Sequence, residues 1–239
     1  MTGAGAGIGR ASALALAARG AAGVAVLDVD REGGEETAAL VKDAGADALF
    51  LCVDVSDREA LSAGFAAAAD RLGGIDIVHN NAGLVSGDPP WPGTPLEVIE
   101  RVVQVNVLGT MFGTRLAIEH LAARGGGAVV NTASVAGLAP MPTDAVYAAT
   151  KAAVILFTQS CKELAAGTGV RVNAVLPGIV DTSMVRKTGD GVTPAAWLEP
   201  ALGMMTLLDP ARVAAAVVAL VEDDTKAGHT EVLVNELRQ

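Results

Sequence analysis

Six short apolar runs, separated by stretches of helical spacing, constrain this chain more than any other feature. The runs are "GVAVLDV" (23–29), "ALFLCVDV" (48–55), "IDIVHN" (75–80), "GAVVNTAS" (127–134), "VRVNAVLPG" (170–178) and "TEVLVN" (230–235). Helix-like stretches at 8–19, 31–44, 57–72, 95–123, 145–166 and 208–221 alternate with them. Runs that are apolar on both sides suit parallel strands covered on both faces. Strict alternation with helices therefore predicts an α/β fold of three layers around a doubly wound parallel sheet. No repeat or linker divides the chain. Its 239 residues, 51% of them hydrophobic, are enough for one core, so residues 1–239 read as a single domain.

Charge removes several partner classes. The net charge is -10 with only 17 Lys plus Arg, the opposite of what phosphate neutralisation or an anionic membrane requires. No apolar run approaches the ~18 residues of a membrane span, and no basic segment followed by an apolar one opens the chain. A cytoplasmic protein without nucleic-acid or membrane partners is expected. Cys52 and Cys161 read as reduced core thiols. His79 reads as a core histidine, and His120 and His229 lack ligand spacing, so no metal is expected.

The segment "TGAGAGIG" (2–9) fits G-x-x-x-G-x-G through Gly3, Gly7 and Gly9, with Ile8 between the last two. Glycines permit positive φ and close backbone approach to a pyrophosphate, which then sits at the positive end of the next helix. Alone, the segment reads equally as a flexible Ala/Gly tail. Asp28, nineteen residues beyond Gly9, closes the first run, where a carboxylate accepts from ribose hydroxyls and repels a 2'-phosphate. That favours NAD over NADP; the other reading makes Asp28 a turn residue and gives a phosphate to Arg31. Asp54, followed by Val55, either holds an adenine amino group or caps the next helix, a task Ser56 and Asp57 can also fill. A glycine turn of this kind should leave the end of a strand, yet only Met1 precedes it. The first central strand is thus expected to be missing from the sequence as given. Three explanations are open: a start placed too late by about five to ten residues, a truncated paralogue, or another segment in the slot.

Further motifs follow in order: "NNAG" (80–83), Asn106 in "QVNVLG", Ser134, Tyr147-x-x-x-Lys151 and Pro177-Gly178. The ordered set resembles the short-chain dehydrogenase/reductase family, in its small single-domain form. The resemblance implies a Rossmann-like sheet whose absent strand would lie between runs 23–29 and 75–80. It also implies a nicotinamide dinucleotide cofactor, CH–OH chemistry and a homodimer or homotetramer. Tyr147 and Lys151 are four apart on a predicted helix, so they share a face. A nearby ammonium is expected to stabilise the phenolate, with an oxidised nicotinamide adding to that effect. Tyr147 is the only tyrosine, so the role has no rival.

By the same resemblance, Ser134 hydrogen-bonds the reacting oxygen. Asn106 holds a water linking Lys151 to solvent; its plainer reading is a side chain bonded to neighbouring backbone. Asn80, Ala82 and Gly83 are placed around the adenosine ribose and the sheet centre. Pro177, Gly178, Ile179 and Thr182 are placed at the nicotinamide, with Thr182 also readable as a helix cap.

Residues 183–208 form the expected substrate lid, lined by Met184, Val185, Trp197, Leu198, Leu202, Met204, Met205 and Leu207, which suits a lipophilic alcohol or ketone. Arg186 and Lys187 read as solvated charges. The stretch 86–95 is a stiff rim whose Trp91 either packs or touches substrate. Between Glu100 and Glu119 the helix carries few charges, with Gly109 and Gly113 four apart, so burial against a second subunit is expected. The end, "VLVNELRQ", departs from the Asp-Gly-Gly usual in the family. The expected function is NAD-dependent interconversion of an apolar secondary alcohol and a ketone. The alternatives are a binding-only dinucleotide sensor or scaffold, or a truncated inactive paralogue.

Overall fold

A computed structural model describes residues 1–189 and 191–238. The chain begins with the glycine turn and α1 (Gly7–Ala18), followed by β1 (Gly23–Asp28), α2 (Arg31–Asp43), β2 (Asp47–Cys52), α3 (Arg58–Leu72) and β3 (Ile77–Asn80). After the 86–95 rim come α4 (Leu96–Val103), a π turn (Gln104–Gly109), α5 (Thr110–Ala122), β4 (Gly127–Thr132), α6 (Ala145–Ser160), α7 (Leu164–Thr168) and β5 (Val170–Pro177). The last part holds α8 (Ser183–Arg186), α9 (Glu199–Met204), β6 (Met205–Thr206), α10 (Pro210–Glu222), β7 (Thr230–Leu233) and β8 (Glu236–Leu237).

Each of the six runs contains a strand, and all six strands are parallel in the order β2-β1 and β3-β4-β5-β7. Val129, Val130, Val172 and Val175 are wholly buried, which is why these runs lack polar alternation. One face packs Phe65, Val105 and Leu121 against the sheet, and the other packs Val213, Val217 and Leu220. Each such side chain contributes about 1.5–3 kcal/mol by burial.

Met1 and Thr2 stand in the central slot. Thr2 bridges Leu27 on one side and Asn80 on the other. Thr2 N donates to His79 O at 3.0 Å, Leu27 N donates to Met1 O at 2.9 Å, and the Met1 ammonium donates to Ala25 O at 2.8 Å. Burial lowers the pKa of that ammonium to about 5. Among the described residues no other segment pairs there. The two halves of the sheet therefore meet through Thr2.

The predicted helix at 95–123 is interrupted by the π turn, and the one at 145–166 stops at Ser160 before the short α7. Gly109 and Gly113 face this chain's own sheet. A Cβ at Gly109 would lie 2.8 Å from Val55 Cγ2, and one at Gly113 would lie 2.2 Å from Asn80 Oδ1. These glycines thus serve close helix–sheet packing, which their spacing had suggested for a subunit contact. No helix among the described residues is long and apolar enough to cross a membrane, and no described group of His, Cys, Asp and Glu can hold a metal ion.

Candidate active site

A cleft of about 800 Å3 runs along the carboxyl ends of the strands. At one end the glycine turn folds tightly. Gly3 and Gly7 have φ of 59° and 51°, and a Cβ on Gly3 would lie 2.7 Å from Ala82 Cα. No side chain caps α1 and its first turn holds no acid, so its N–H groups remain available at the cleft, which Ala6, Gly7 and Ile8 line. Asp28 also lines the cleft; its Oδ2 accepts from Gly5 N at 2.7 Å and its Oδ1 from Asp30 N at 2.9 Å. These features fit a dinucleotide: a close-approach cradle, open N–H donors and a carboxylate at the end of the first strand.

Gly9, Asn80 and Asn106 were expected at the site but do not line the cleft. Gly9 lies beneath the turn, where a Cβ would meet Gly3 O at 2.1 Å. Asn80 points into the sheet centre and donates to Asn131 Oδ1 at 2.9 Å and Thr114 Oγ1 at 3.1 Å. The cleft position belongs to the second asparagine of the pair: Asn81 Nδ2 donates to Gly3 O at 2.8 Å, and its Oδ1 accepts from the Thr132 hydroxyl at 3.2 Å. Strand alternation decides which asparagine faces inward, and one residue of register is beyond what the motif alone reveals.

Asn106 lies in the π turn, a local widening often found at functional sites. Its Oδ1 accepts from Leu84 N at 2.7 Å, and its Nδ2 donates to Leu84 O at 2.8 Å and Thr150 Oγ1 at 3.0 Å. The side chain thus ties the loop after β3 to α6. Gly83 fits beside it because a Cβ there would stand 3.4 Å from both Asn106 Oδ1 and Lys151 Nζ.

Asp54 and Val55 line the cleft, but the Asp54 carboxylate is engaged on both oxygens. Oδ1 accepts from Ser56 N at 2.9 Å and Oδ2 from Arg101 Nη2 at 2.8 Å. Its pKa is lowered: burial opposes this, but the bonds from Arg101 and Ser56 outweigh burial. Asp57, not Asp54, caps α3 by accepting from Ala60 N at 2.9 Å.

At the centre of the cleft Ser134, Tyr147 and Lys151 converge. Asp144, which the sequence did not single out, caps α6: its Oδ1 accepts from Tyr147 N at 3.0 Å and its Oδ2 from Ser86 N at 2.9 Å. One buried carboxylate so fixes the first turn of α6, which carries Tyr147 and Lys151, against the rim. The Lys151 side chain is buried, with Nζ donating to Thr132 O at 2.8 Å and lying 5.5 Å from the Tyr147 ring centre. Burial lowers the Lys151 pKa to about 8. The Tyr147 phenol is pushed up to about 12, first by burial; a bond with the Ser134 hydroxyl lowers it and the Asp144 charge raises it. The expected downward tuning by Lys151 is thus reversed in the chain by itself, because withdrawing the phenolate from water outweighs its neighbours. Ser134 Oγ donates to Pro177 O at 3.2 Å and accepts from Ala136 N at 3.2 Å, a weakly held hydroxyl at the cleft.

Pro177, Gly178, Ile179 and Thr182 also line the cleft. Thr182 occupies the cap position of α8 without a capping bond, and its methyl would lie 2.9 Å from a Cβ on Gly7. From segment 183–208, Met184, Val185, Trp197, Leu198 and Met205 reach the cleft, whereas Leu202, Met204 and Leu207 do not. Arg186 pairs with Asp181 at 2.7 Å. The Trp91 side chain is half exposed outside the cleft and lines a shallow groove with Ile99 and Val146, while its backbone N–H donates to Thr143 O at 3.1 Å. The ionisable groups that line the cleft, Asp28, Asp54, Arg101, Tyr147 and Lys151, all belong to the glycine-turn side and the centre. The remaining half is apolar.

A family profile described as short chain dehydrogenase matches residues 1–192. A cis-4-hydroxycyclohexanecarboxylate dehydrogenase of Sinomonas cyclohexanicum is 35% identical, over 93% of this chain and 88% of its own length. A 15-hydroxyprostaglandin dehydrogenase (NAD(+)) of Bos taurus is 34% identical, over 95% of this chain and 87% of its own length. Among solved structures, levodione reductase superposes with a TM-score of 0.88 at 32% identity, covering 97% of this chain and 93% of its own.

Proposed function

Because the chain belongs to the short-chain dehydrogenase/reductase family, whose members act on CH–OH groups, we propose that it interconverts an apolar secondary alcohol and its ketone with NAD. The convergence of Ser134, Tyr147 and Lys151 in one cleft with the glycine turn carries this reading. NAD is favoured over NADP by the Asp28 carboxylate at the cleft, where a 2'-phosphate would meet a like charge. The name of the Bos taurus relative points the same way.

When bound, the dinucleotide supplies the group that accepts or gives hydride. Tyr147 moves the proton: its phenol donates to the carbonyl oxygen during reduction and its phenolate removes the hydroxyl proton during oxidation. Ser134 exchanges its long bond to Pro177 O for one to the reacting oxygen. Lys151, fixed by Thr132 O, places a cation beside the phenol, and its exchange with solvent is proposed to run past Asn106. Gly3, Gly7, Ile8, Ala82, Gly83, Val55 and Asp54 are proposed to hold the adenosine and pyrophosphate, and Pro177 to Thr182 the nicotinamide. Gly9 and Asn80 support that site from beneath.

The apolar half suits a neutral substrate, since a carboxylate would find no cation among its described lining residues. We read residues 1–239 as one domain in which 183–208 acts as a lid. A cytoplasmic homodimer or homotetramer is proposed with it, because Leu96, Leu108 and Leu156 stand exposed on α4, the π turn and α6. A strictly monomeric mass in solution would remove that part.

Nicotinamide absorbance with a panel of neutral secondary alcohols and ketones, offered NAD(H) and NADP(H), tests the reading. Turnover with NAD on apolar members is expected. Dinucleotide binding without turnover on any member would leave the sensor reading standing.

A further inference from the structure

We propose that Asn235 is a positioning residue that locks the nicotinamide-side segment to the lid, so that one amide sets both the floor and the roof of the substrate half. This rests on the dinucleotide and lid assignments above. Asn235 stands between β7 and β8, at the cleft, where the sequence leaves the family's usual ending. Its Oδ1 accepts from Ile179 N at 2.7 Å, and its Nδ2 donates to Ile179 O at 2.7 Å and to Thr206 O at 2.9 Å. One acceptor and two donors are thus used by two segments that are not otherwise adjacent in sequence.

The surroundings extend this clamp. Leu208 N donates to Ile179 O at 2.9 Å, and Asp181 N donates to Leu208 O at 2.9 Å, so residues 179–181 pair with the end of the lid. β6 of the lid pairs antiparallel with β8 through Met205↔Leu237 and Thr206↔Glu236, and Arg238 N donates to Met204 O at 2.9 Å. Gly178 makes room for the side chain, since a Cβ there would lie 2.1 Å from Asn235 Oδ1. Ile179 and Met205 both line the cleft, one below the lid and one on it. Ile179 and Thr206, the neighbour of Met205, are bonded to the same side chain.

The residue type follows from the three partners. An N–H needs an acceptor and two carbonyls need donors, a combination that a side-chain amide offers in one plane. A carboxylate keeps the first bond and sets an acceptor against both carbonyls; an apolar side chain satisfies none. Substitution should therefore loosen both dinucleotide and substrate while leaving the phenol chemistry unchanged.

Asn235→Asp is the informative variant, compared with wild type as the full chain. Amide hydrogen exchange without any ligand reads the clamp: protection at Leu208, which donates to the same Ile179 carbonyl, is expected in wild type and should fall in the variant, while Ile179 N keeps its acceptor. With NAD+ and a turned-over alcohol, Kd and KM are each expected to rise about tenfold, with the alkaline titration of Tyr147 unmoved. If the variant fails to fold, Asn235→Ala, which removes only the amide, carries the same comparison, with exchange at Ile179 expected to rise as well. Unchanged exchange at Leu208, or Kd and KM within about twofold of wild type, would overturn the clamp. A wild-type chain that binds no dinucleotide while keeping the exchange pattern would overturn the functional reading beneath it.

Discussion

The Lys151 ammonium lies 5.5 Å from the centre of the Tyr147 ring and is held there by the carbonyl of Thr132 at 2.8 Å. Proximity is therefore built in, yet burial still leaves the phenol at about 12 and the amine at about 8. The site without dinucleotide is poised as a proton donor. A protonated phenol suits reduction at neutral pH, whereas oxidation needs the phenolate. Alcohol oxidation should therefore rise steadily as pH increases above neutrality, while reduction should not. Initial rates in both directions across pH 6 to 10, a range set by about four units around the amine value, check this; oxidation fastest at the acidic end would count against it.

Replacing Tyr147 by Phe should remove the proposed proton transfer and little else. Turnover should fall by about 10²–10⁴-fold, with NAD binding retained, as read by dinucleotide titration. Wild-type turnover in that variant would transfer the proton chemistry to another group.

Lys151 also carries a stability signature. Its pKa is lowered from 10.5 to about 8 by burial, so between these values the unfolded chain binds more protons than the folded one. Stability therefore rises with pH across that window, and the burial penalty is greatest below it. Relative to Lys151→Met, wild type should gain stability between pH 8 and 10.5. Denaturant unfolding at the two ends measures the difference, and a constant gap would show that the amine is not buried in its charged form.

His79 predicts an acid limb. Its ring is fully buried with Nε2 2.8 Å from Thr132 Oγ1, and burial, followed by the Met1 ammonium, lowers its pKa from 6.5 to about 3. Below 6.5 the unfolded chain takes up a proton that the folded chain refuses, so stability falls with pH until about 3. His79→Val should lose less stability than wild type between pH 7 and 5, by urea midpoints. Parallel losses would mean that the imidazole charges without penalty.

The proposed preference for NAD is assigned to Asp28. Its two backbone bonds, from Gly5 and Asp30, hold the carboxylate at the ribose end of the cleft. Asp28→Ser should narrow the preference for NAD+ over NADP+ by about tenfold or more in kcat/KM. An unaltered ratio would reassign the discrimination.

The residues legible in sequence are those whose function depends on local spacing. Tyr147 and Lys151 share a helix face because they are four apart, and the strands were visible because both of their faces are buried. What escaped depends on contacts distant in sequence. Asn81 replaces Asn80 in the cleft by strand register, and Asp54 is drawn to Arg101, 47 residues away. Asn235 meets Ile179 across 56 residues, and Asp144 meets Ser86 across 58. The sign of the phenol's shift was also hidden, because spacing shows who is near but not how much water has left. The π turn at 104–109 has no signal in a helix-compatible sequence.

Because Tyr147 is the only tyrosine, tyrosinate absorbance after a rapid rise in pH reports on this one phenol. With the phenol beside Lys151, and a cationic nicotinamide proposed to bind next to it, the midpoint should be near 12 in the chain alone and clearly lower with saturating NAD+. A midpoint that NAD+ leaves in place, or one at the value of a free tyrosine in both states, would contradict the assignment of Tyr147 as the proton-transferring group.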